Sequence, residues 1–257
     1  MVDLEIGPAR LRGVRLVIFD KDGTLIELYP YIARTVFRRA RRVGEALGLT
    51  PGEEAGLVRA LGVEVEGRRI RPEGPAGIRP RGEVLAAAID YLERIGRPGA
   101  DIICREAFAA VDELSARDPA PFIRPARGAI PLVKALRKQG CRVAVATQDL
   151  TERGRLALKF LGLEEQIDAL VGADRVSHPK PHPEAILFLL AELAVPAAQA
   201  VMVGDASTDL EMAKRAGLSA AIGVRGGITP EEALRAATPY VVEDLSAIRV
   251  RPAAKGR

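Results

Sequence analysis

The chain has 257 residues, 48% apolar, with no Trp and few aromatics, which is enough for one large domain, or an ordinary domain plus a smaller one, around an aliphatic core. Its net charge of +4 comes from 31 Arg and 7 Lys set among 34 acids, interspersed throughout, which excludes the one-sided basic stripe of a nucleic-acid binder. No apolar run is long enough to span a membrane and the opening "MVDLEIGPARLRG" lacks the order of a secretion signal, so the expectation is a cytoplasmic protein with neither membrane nor nucleic-acid partners.

Val14–Phe19 is a short continuous apolar run followed by "DKDGTL", and it reads as a buried strand that delivers Asp20 and Asp22 at its tip. Two half-buried carboxylates in one place require a cation or a shared proton. From Tyr29 the period becomes helical. Ile32, Val36, Ala40, Val43 and Leu47 share one side, Arg34, Arg38, Arg41 and Arg42 fill the other, and Gly48 stands where a helix would end. "RRARR" at 38–42 then reads as a solvated helix face. A second helix is predicted over Glu53–Leu61. Residues 67–82 hold too much Pro and Gly for a regular element and read as a long loop. Helices resume at Glu83–Ile95 and Asp101–Ala116, and 118–128 reads as a hinge.

Beyond the hinge the texture changes. A helix at 130–139 precedes strand "RVAVAT", a helix at 151–161 precedes "DALV", a helix at 183–193 precedes "AVMVGD", and a helix at 207–216 precedes "SAAIGV". A last helix near 230–236 leads to "YVVEDL", and "RVRPAAKGR" reads as a frayed basic tail. Cys104 and Cys141 lie far apart without metal-type spacing and are expected to be reduced. The alternation predicts an α/β fold: a Rossmann-like doubly wound parallel sheet built from 1–26 plus 127–257, with an inserted all-helical cap domain at 27–126. An insertion there would sit over the carboxyl ends of the strands, where open α/β sheets bind ligands.

Three other strand ends stop on polar residues. "VAVAT" delivers Thr147, followed by Gln148; "HPKPHP" sets Lys180 ahead of a helix; "VMVGDASTD" puts Asp205 at a strand tip and Asp209 in the next helix. Four carboxylates against one lysine call for a hard divalent cation. Mg²⁺ fits best, because it accepts a few carboxylates plus waters and a substrate phosphate. Thr147, Lys180 and the N–H groups after Asp20 could then hold phosphoryl oxygens. In this reading Asp20 attacks phosphorus to form an aspartyl-phosphate and Asp22 acts as general acid and then base. Gly23 permits a sharp turn that the Thr24 hydroxyl could fix. His178 and His182 stand four apart, but the prolines between them forbid one continuous helix, so they read as loop or surface residues. "RGGIT" at 225–229 is a candidate for touching the substrate.

Taken in order, "FDKDGTL", "VAVAT", "KPHP" and "VGDASTD" resemble the four motifs of the haloacid-dehalogenase-like hydrolases, especially the phosphoglycolate-phosphatase-like branch, across about residues 14–225. The resemblance implies a Mg²⁺-dependent phosphatase acting on a small phosphorylated metabolite such as phosphoglycolate, a sugar phosphate or a nucleotide. It implies Asp20 as nucleophile and Asp22 as acid/base. Thr147 and Lys180 would bind phosphate, beside Gln148, where relatives often carry Asn. Asp20, Asp205 and Asp22 (through its carbonyl) would hold the metal, with Thr24 and Asp209 in support. Branches that dehalogenate, cleave phosphonates or pump ions lack an acid at the position of Asp22. Only 32 residues separate Thr147 from Lys180, too few for a second large cap. Two rivals share these features: a phosphomutase on the same fold, against which Asp209 speaks, and a phospho-accepting signalling or binding protein without turnover.

Overall fold

The computed structural model describes residues 1–253 apart from Arg68, Pro72, Ile78 and Pro80. Three strands open the chain, β1 (Val2–Ile6), β2 (Ala9–Val14) and β3 (Leu16–Phe19). There follow α1 (Leu28–Leu47), α2 (Pro51–Ala60), β4 (Val63–Glu64), β5 (Arg69–Ile70), α3 (Arg81–Arg94) and α4 (Asp101–Arg117). The chain continues with α5 (Ala129–Lys138), β6 (Arg142–Ala146), α6 (Thr151–Phe160), β7 (Ala169–Val171) and α7 (Glu184–Glu192). It closes with β8 (Ala200–Gly204), α8 (Ser207–Arg215), β9 (Ala220–Val224), α9 (Glu231–Ala237), β10 (Val241–Val242) and β11 (Ile248–Pro252). Among the described residues no helix is long and apolar enough to cross a membrane.

These elements form two compact units, one of Met1–Glu27 with Pro125–Arg257 and the other of Leu28–Arg124. The first holds a six-stranded parallel sheet in the order β10-β9-β8-β3-β6-β7. Every residue of β3 is buried, as expected of a central strand covered on both faces. Leu16 and Ile18 on one face join Ala144 and Met202 in a core closed by Ile186 and Leu189 of α7 and Met212 and Ala213 of α8. Gly217 takes φ +70 after α8, a left-handed conformation that lets the chain turn at low cost.

A second sheet in this unit was not anticipated: β11, β1 and β2 pair antiparallel. Val14 therefore ends β2 instead of opening the strand that carries Asp20. The expected frayed tail is ordered through Pro252, which pairs with Val2; its last four residues, 254–257, lie outside the described ones. Packing explains the order, since Val2, Leu4, Ile6 and Ile248 are all buried and set the register of the three strands.

Among its described residues the second unit is helical except for a two-residue antiparallel ladder, in which β4 precedes the expected loop at 67–82 and β5 falls inside it, an exception to an all-helical insertion. The Thr50 hydroxyl and the Glu53 carboxylate cap α2 reciprocally, satisfying N–H groups that the helix start leaves free. Val36, Ala40, Val43, Leu57, Leu92 and Phe108 form its core. The "RRARR" face is not wholly solvated: Arg39 is buried, 2.8 Å from Asp112 and stacked 4.3 Å over the Phe108 ring. A paired guanidinium with an aromatic face beneath it tolerates such desolvation.

Candidate active site

The ladder decides what the strand tips present. Phe19 lies opposite Val145 of β6 and Val203 of β8, so Asp20, Ala146 and Gly204 stand level and the next residues of all three strands emerge at one edge. The Asp20 N–H still donates to Val203 O at 2.9 Å, and the Thr147 N–H to Val171 O at 2.9 Å. After Asp20 the chain turns back sharply. Gly23 N–H reaches Ile26 O, the N–H groups of Leu25 and Ile26 reach Lys21 O, and Gly23 takes φ +94. Only glycine adopts that conformation without strain, and here a Cβ would also overlap the Asp205 carboxylate.

Asp20, Asp205 and Asp209 converge, with one carboxylate oxygen from each within 4.8 Å of the others. All three are buried. Lys180 is the cation among them, its Nζ 2.6 Å from Asp20 Oδ1 and 2.7 Å from Asp209 Oδ1. Asp205 instead accepts from the Thr24 hydroxyl at 3.3 Å and from the Ile228 N–H at 3.1 Å. The Asp209 carboxylate also accepts from the Ala206 N–H at 3.2 Å, which seats α8 beside the cluster.

Desolvation raises the Asp20 carboxyl; Lys180 opposes that rise and Asp209 adds to it. Burial, then Asp20 and Asp209, push Asp205 well above the ordinary carboxylate range. Burial alone would lower Lys180, but the two carboxylates it touches outweigh it and raise its pKa. Three buried acids sharing one lysine leave an excess of negative charge and an all-oxygen donor set, which suits a hard divalent cation. The residues therefore fit a Mg²⁺-type ion. Gly23 and Gly227 both lack the Cβ that would collide with Asp205, so the backbone packs directly against its carboxylate without displacing it.

Asp22 behaves differently. Its carboxylate lies 2.6 Å from Lys21 Nζ, which is also 3.3 Å from Asp149. Burial raises the Asp22 pKa, Lys21 lowers it, and Asp149 and Asp20 raise it. Lys21 and Asp149 were not singled out in the sequence, where a lysine beside acids reads as a solvated neighbour. Lys21 is in fact 1% exposed. The Thr147 hydroxyl accepts from the Asp149 N–H at 3.1 Å and keeps its own proton for another acceptor. Gln148 is exposed. The "RGGIT" turn reaches the cluster, though at Asp205: Ile228 supplies a donor, Gly227 packs against its carboxylate, and Thr229 accepts from the Ser207 N–H at 2.8 Å.

Comparison with known proteins fits this arrangement. The family model described as haloacid dehalogenase-like hydrolase matches residues 14–217. The chain belongs to that family. A probable phosphatase, IndB, from Dickeya dadantii (strain 3937) is 34% identical over 230 residues, 89% of each chain. A phosphoglycolate phosphatase from Rhodospirillum rubrum is 32% identical over 206 residues, 79% of this chain and 77% of its own. Among solved structures, a putative beta-phosphoglucomutase from Thermotoga maritima superposes with a TM-score of 0.69 at 23% identity, covering 91% of this chain and 96% of that one; at that identity the likeness speaks to the fold. The chain is accordingly a haloacid-dehalogenase-like hydrolase of the phosphatase class.

Proposed function

We propose that this hydrolase is a Mg²⁺-dependent phosphatase of small phosphorylated metabolites that works through a phosphoryl group held covalently on Asp20. The observation that carries the reading is the buried Asp20 carboxylate at the tip of the central strand, paired to Lys180 and gathered with Asp205 and Asp209. Asp20, Asp205 and Asp209 would hold the ion, with the Asp22 carbonyl as a further donor. When bound, the ion supplies positive charge against the phosphoryl oxygens.

The protein's own groups account for the steps. An Asp20 oxygen forms a bond to phosphorus as the ester P–O bond breaks, and Asp22 gives its proton to the departing oxygen. Burial favours the protonated Asp22 that this step needs. Water then attacks phosphorus, Asp22 takes the proton, and inorganic phosphate leaves with Asp20 restored. Lys180, the Thr147 hydroxyl and the N–H groups after Asp20 bind phosphoryl oxygens, with Gln148 at the rim. Thr24 keeps Asp205 oriented. Phosphoglycolate is a first substrate to try, because the Rhodospirillum rubrum relative is named for it.

The test is a phosphate-release screen over phosphoglycolate, sugar phosphates, nucleotides and pyrophosphate, with and without Mg²⁺. Release on some member that needs Mg²⁺ and falls to background in Asp20→Asn is the expected result. Release that survives Asp20→Asn would remove Asp20 as nucleophile, and turnover only with a bisphosphate activator would mark a mutase.

A further inference from the structure

The chain contains two histidines, and the fold places them together. His178 and His182 lie in the loop before α7, as their prolines dictate, yet their ring centroids are 4.4 Å apart. The chain folds back between them through a His182 N–H bond to Pro179 O at 2.9 Å. The Glu184 carboxylate completes the group, with Oε2 at 3.0 Å from His178 Nδ1 and 3.8 Å from His182 Nδ1. Neighbouring ligand atoms around a tetrahedral zinc ion stand about 3.3–3.6 Å apart, given Zn–N and Zn–O bonds of about 2.0–2.2 Å. The two distances straddle that interval.

Two further features prepare the group. The Ser177 N–H at 2.8 Å and the His178 N–H at 3.0 Å bind the two oxygens of Glu184, orienting the carboxylate as outer partners orient metal ligands. In the free chain His182 Nδ1 accepts a long 3.3 Å bond from the Glu184 N–H and His178 Nδ1 lies at hydrogen-bond distance, 3.0 Å, from Glu184 Oε2, contacts that an ion would replace. The two imidazoles are open to solvent, with side-chain exposures of 64% and 44%, so an ion can reach them and keep waters in its remaining positions.

The geometry points to a borderline divalent transition-metal site, of the Zn²⁺ type, formed by His178, His182 and Glu184. Two imidazoles and a carboxylate select such ions, whereas the all-oxygen set of Asp20, Asp205 and Asp209 suits Mg²⁺. Both cysteines are buried and offer no competing thiolate at the surface. The site stands apart from the phosphatase reading and does not depend on it.

The experiment is a Zn²⁺ titration of the tag-free chain in saturating Mg²⁺, which fills the acidic cluster, followed through imidazole proton resonances. With two histidines in the chain, both ring signals report on this site directly. They are expected to shift together and to stop shifting near one equivalent. Outer partners of metal ligands are already worth about 10–100-fold in affinity, so His178→Ala and His182→Ala should each weaken Zn²⁺ binding at least tenfold. Rings that stay still, one ring moving alone, or a smaller loss in either variant would overturn the site. Both side chains are exposed, so circular dichroism should show the variants folded, and the titration of the unmodified chain decides the matter without them.

Discussion

Lys180→Met removes the cation hydrogen-bonded to Asp20 and Asp209 and leaves a straight apolar side chain of similar length. Lys180 is 5% exposed in its side chain and holds the two carboxylates at 2.6 and 2.7 Å. Taking one partner from a buried ion pair costs about 3–5 kcal/mol, because a buried charge is left without compensation. At about 2–4 °C per kcal/mol for a protein of this size, that is a fall of about 6–20 °C in melting temperature. The assay is thermal or urea unfolding near neutral pH in a chelator, repeated in Mg²⁺. The ion should raise the variant's midpoint more than the wild type's, since it replaces the missing charge. The double variant with Asp20→Asn should recover part of the loss, with a coupling of about 0.5–3 kcal/mol as for residues in direct contact. A metal-free Lys180→Met as stable as the parent, or a coupling near zero, would show that the lysine does not compensate these acids.

Three more outcomes follow from the geometry. Gly227→Ala would drive a Cβ into the Asp205 carboxylate, and a misplacement of this order costs about a hundredfold in turnover. Gly226→Ala is its control: a Cβ there meets nothing, and φ +89 costs only about 1–3 kcal/mol of strain, so a Gly227→Ala that releases phosphate as fast as Gly226→Ala would contradict the expected loss. For pH, the folded pKa of Asp205 lies well above its ordinary 3.8, so the folded state keeps a proton that the unfolded chain has released. Its contribution is complete below the ordinary value and disappears as pH rises through the elevated one. Metal-free Asp205→Asn should therefore gain stability relative to wild type as pH rises above the ordinary carboxylate range towards neutrality; a constant gap in melting temperature over that rise would contradict the shift. Thr50→Ala removes the cap of α2 and should cost about 1 kcal/mol in unfolding free energy without altering phosphate release.

The parallel sheet was legible because its strands are short apolar runs alternating with helices, several of them ending on a polar residue, and glycines such as Gly140 and Gly217 mark helix ends. Asp20, Lys180, Asp205 and Asp209 could be named from their places: strand tips, the loop before a helix, or a helix's first turn. The antiparallel sheet was harder. "VDLEI", "ARLRGV" and "IRVRP" do alternate in the manner of half-buried strands, but each is brief, and one of the two partners of β1 lies at the far end of the chain. Lys21 escaped for a different reason. A lysine between two aspartates looks solvated until the turn of 20–26 folds it inward onto Asp22 and Asp149. The meeting of His178 with His182 depends on a loop path that no helical or strand period encodes.

The levelling of Phe19 with Val145 and Val203 makes the geometry of the acidic cluster a matter of rung counting. Because side chains alternate with every rung, a slip of β3 by a single rung would turn Asp20 from one side of the sheet to the other and separate it from Asp205. Near-miss pairings are thereby inert, so activity would appear only in molecules whose central strands are aligned, and early turnover during refolding would time the locking of that alignment.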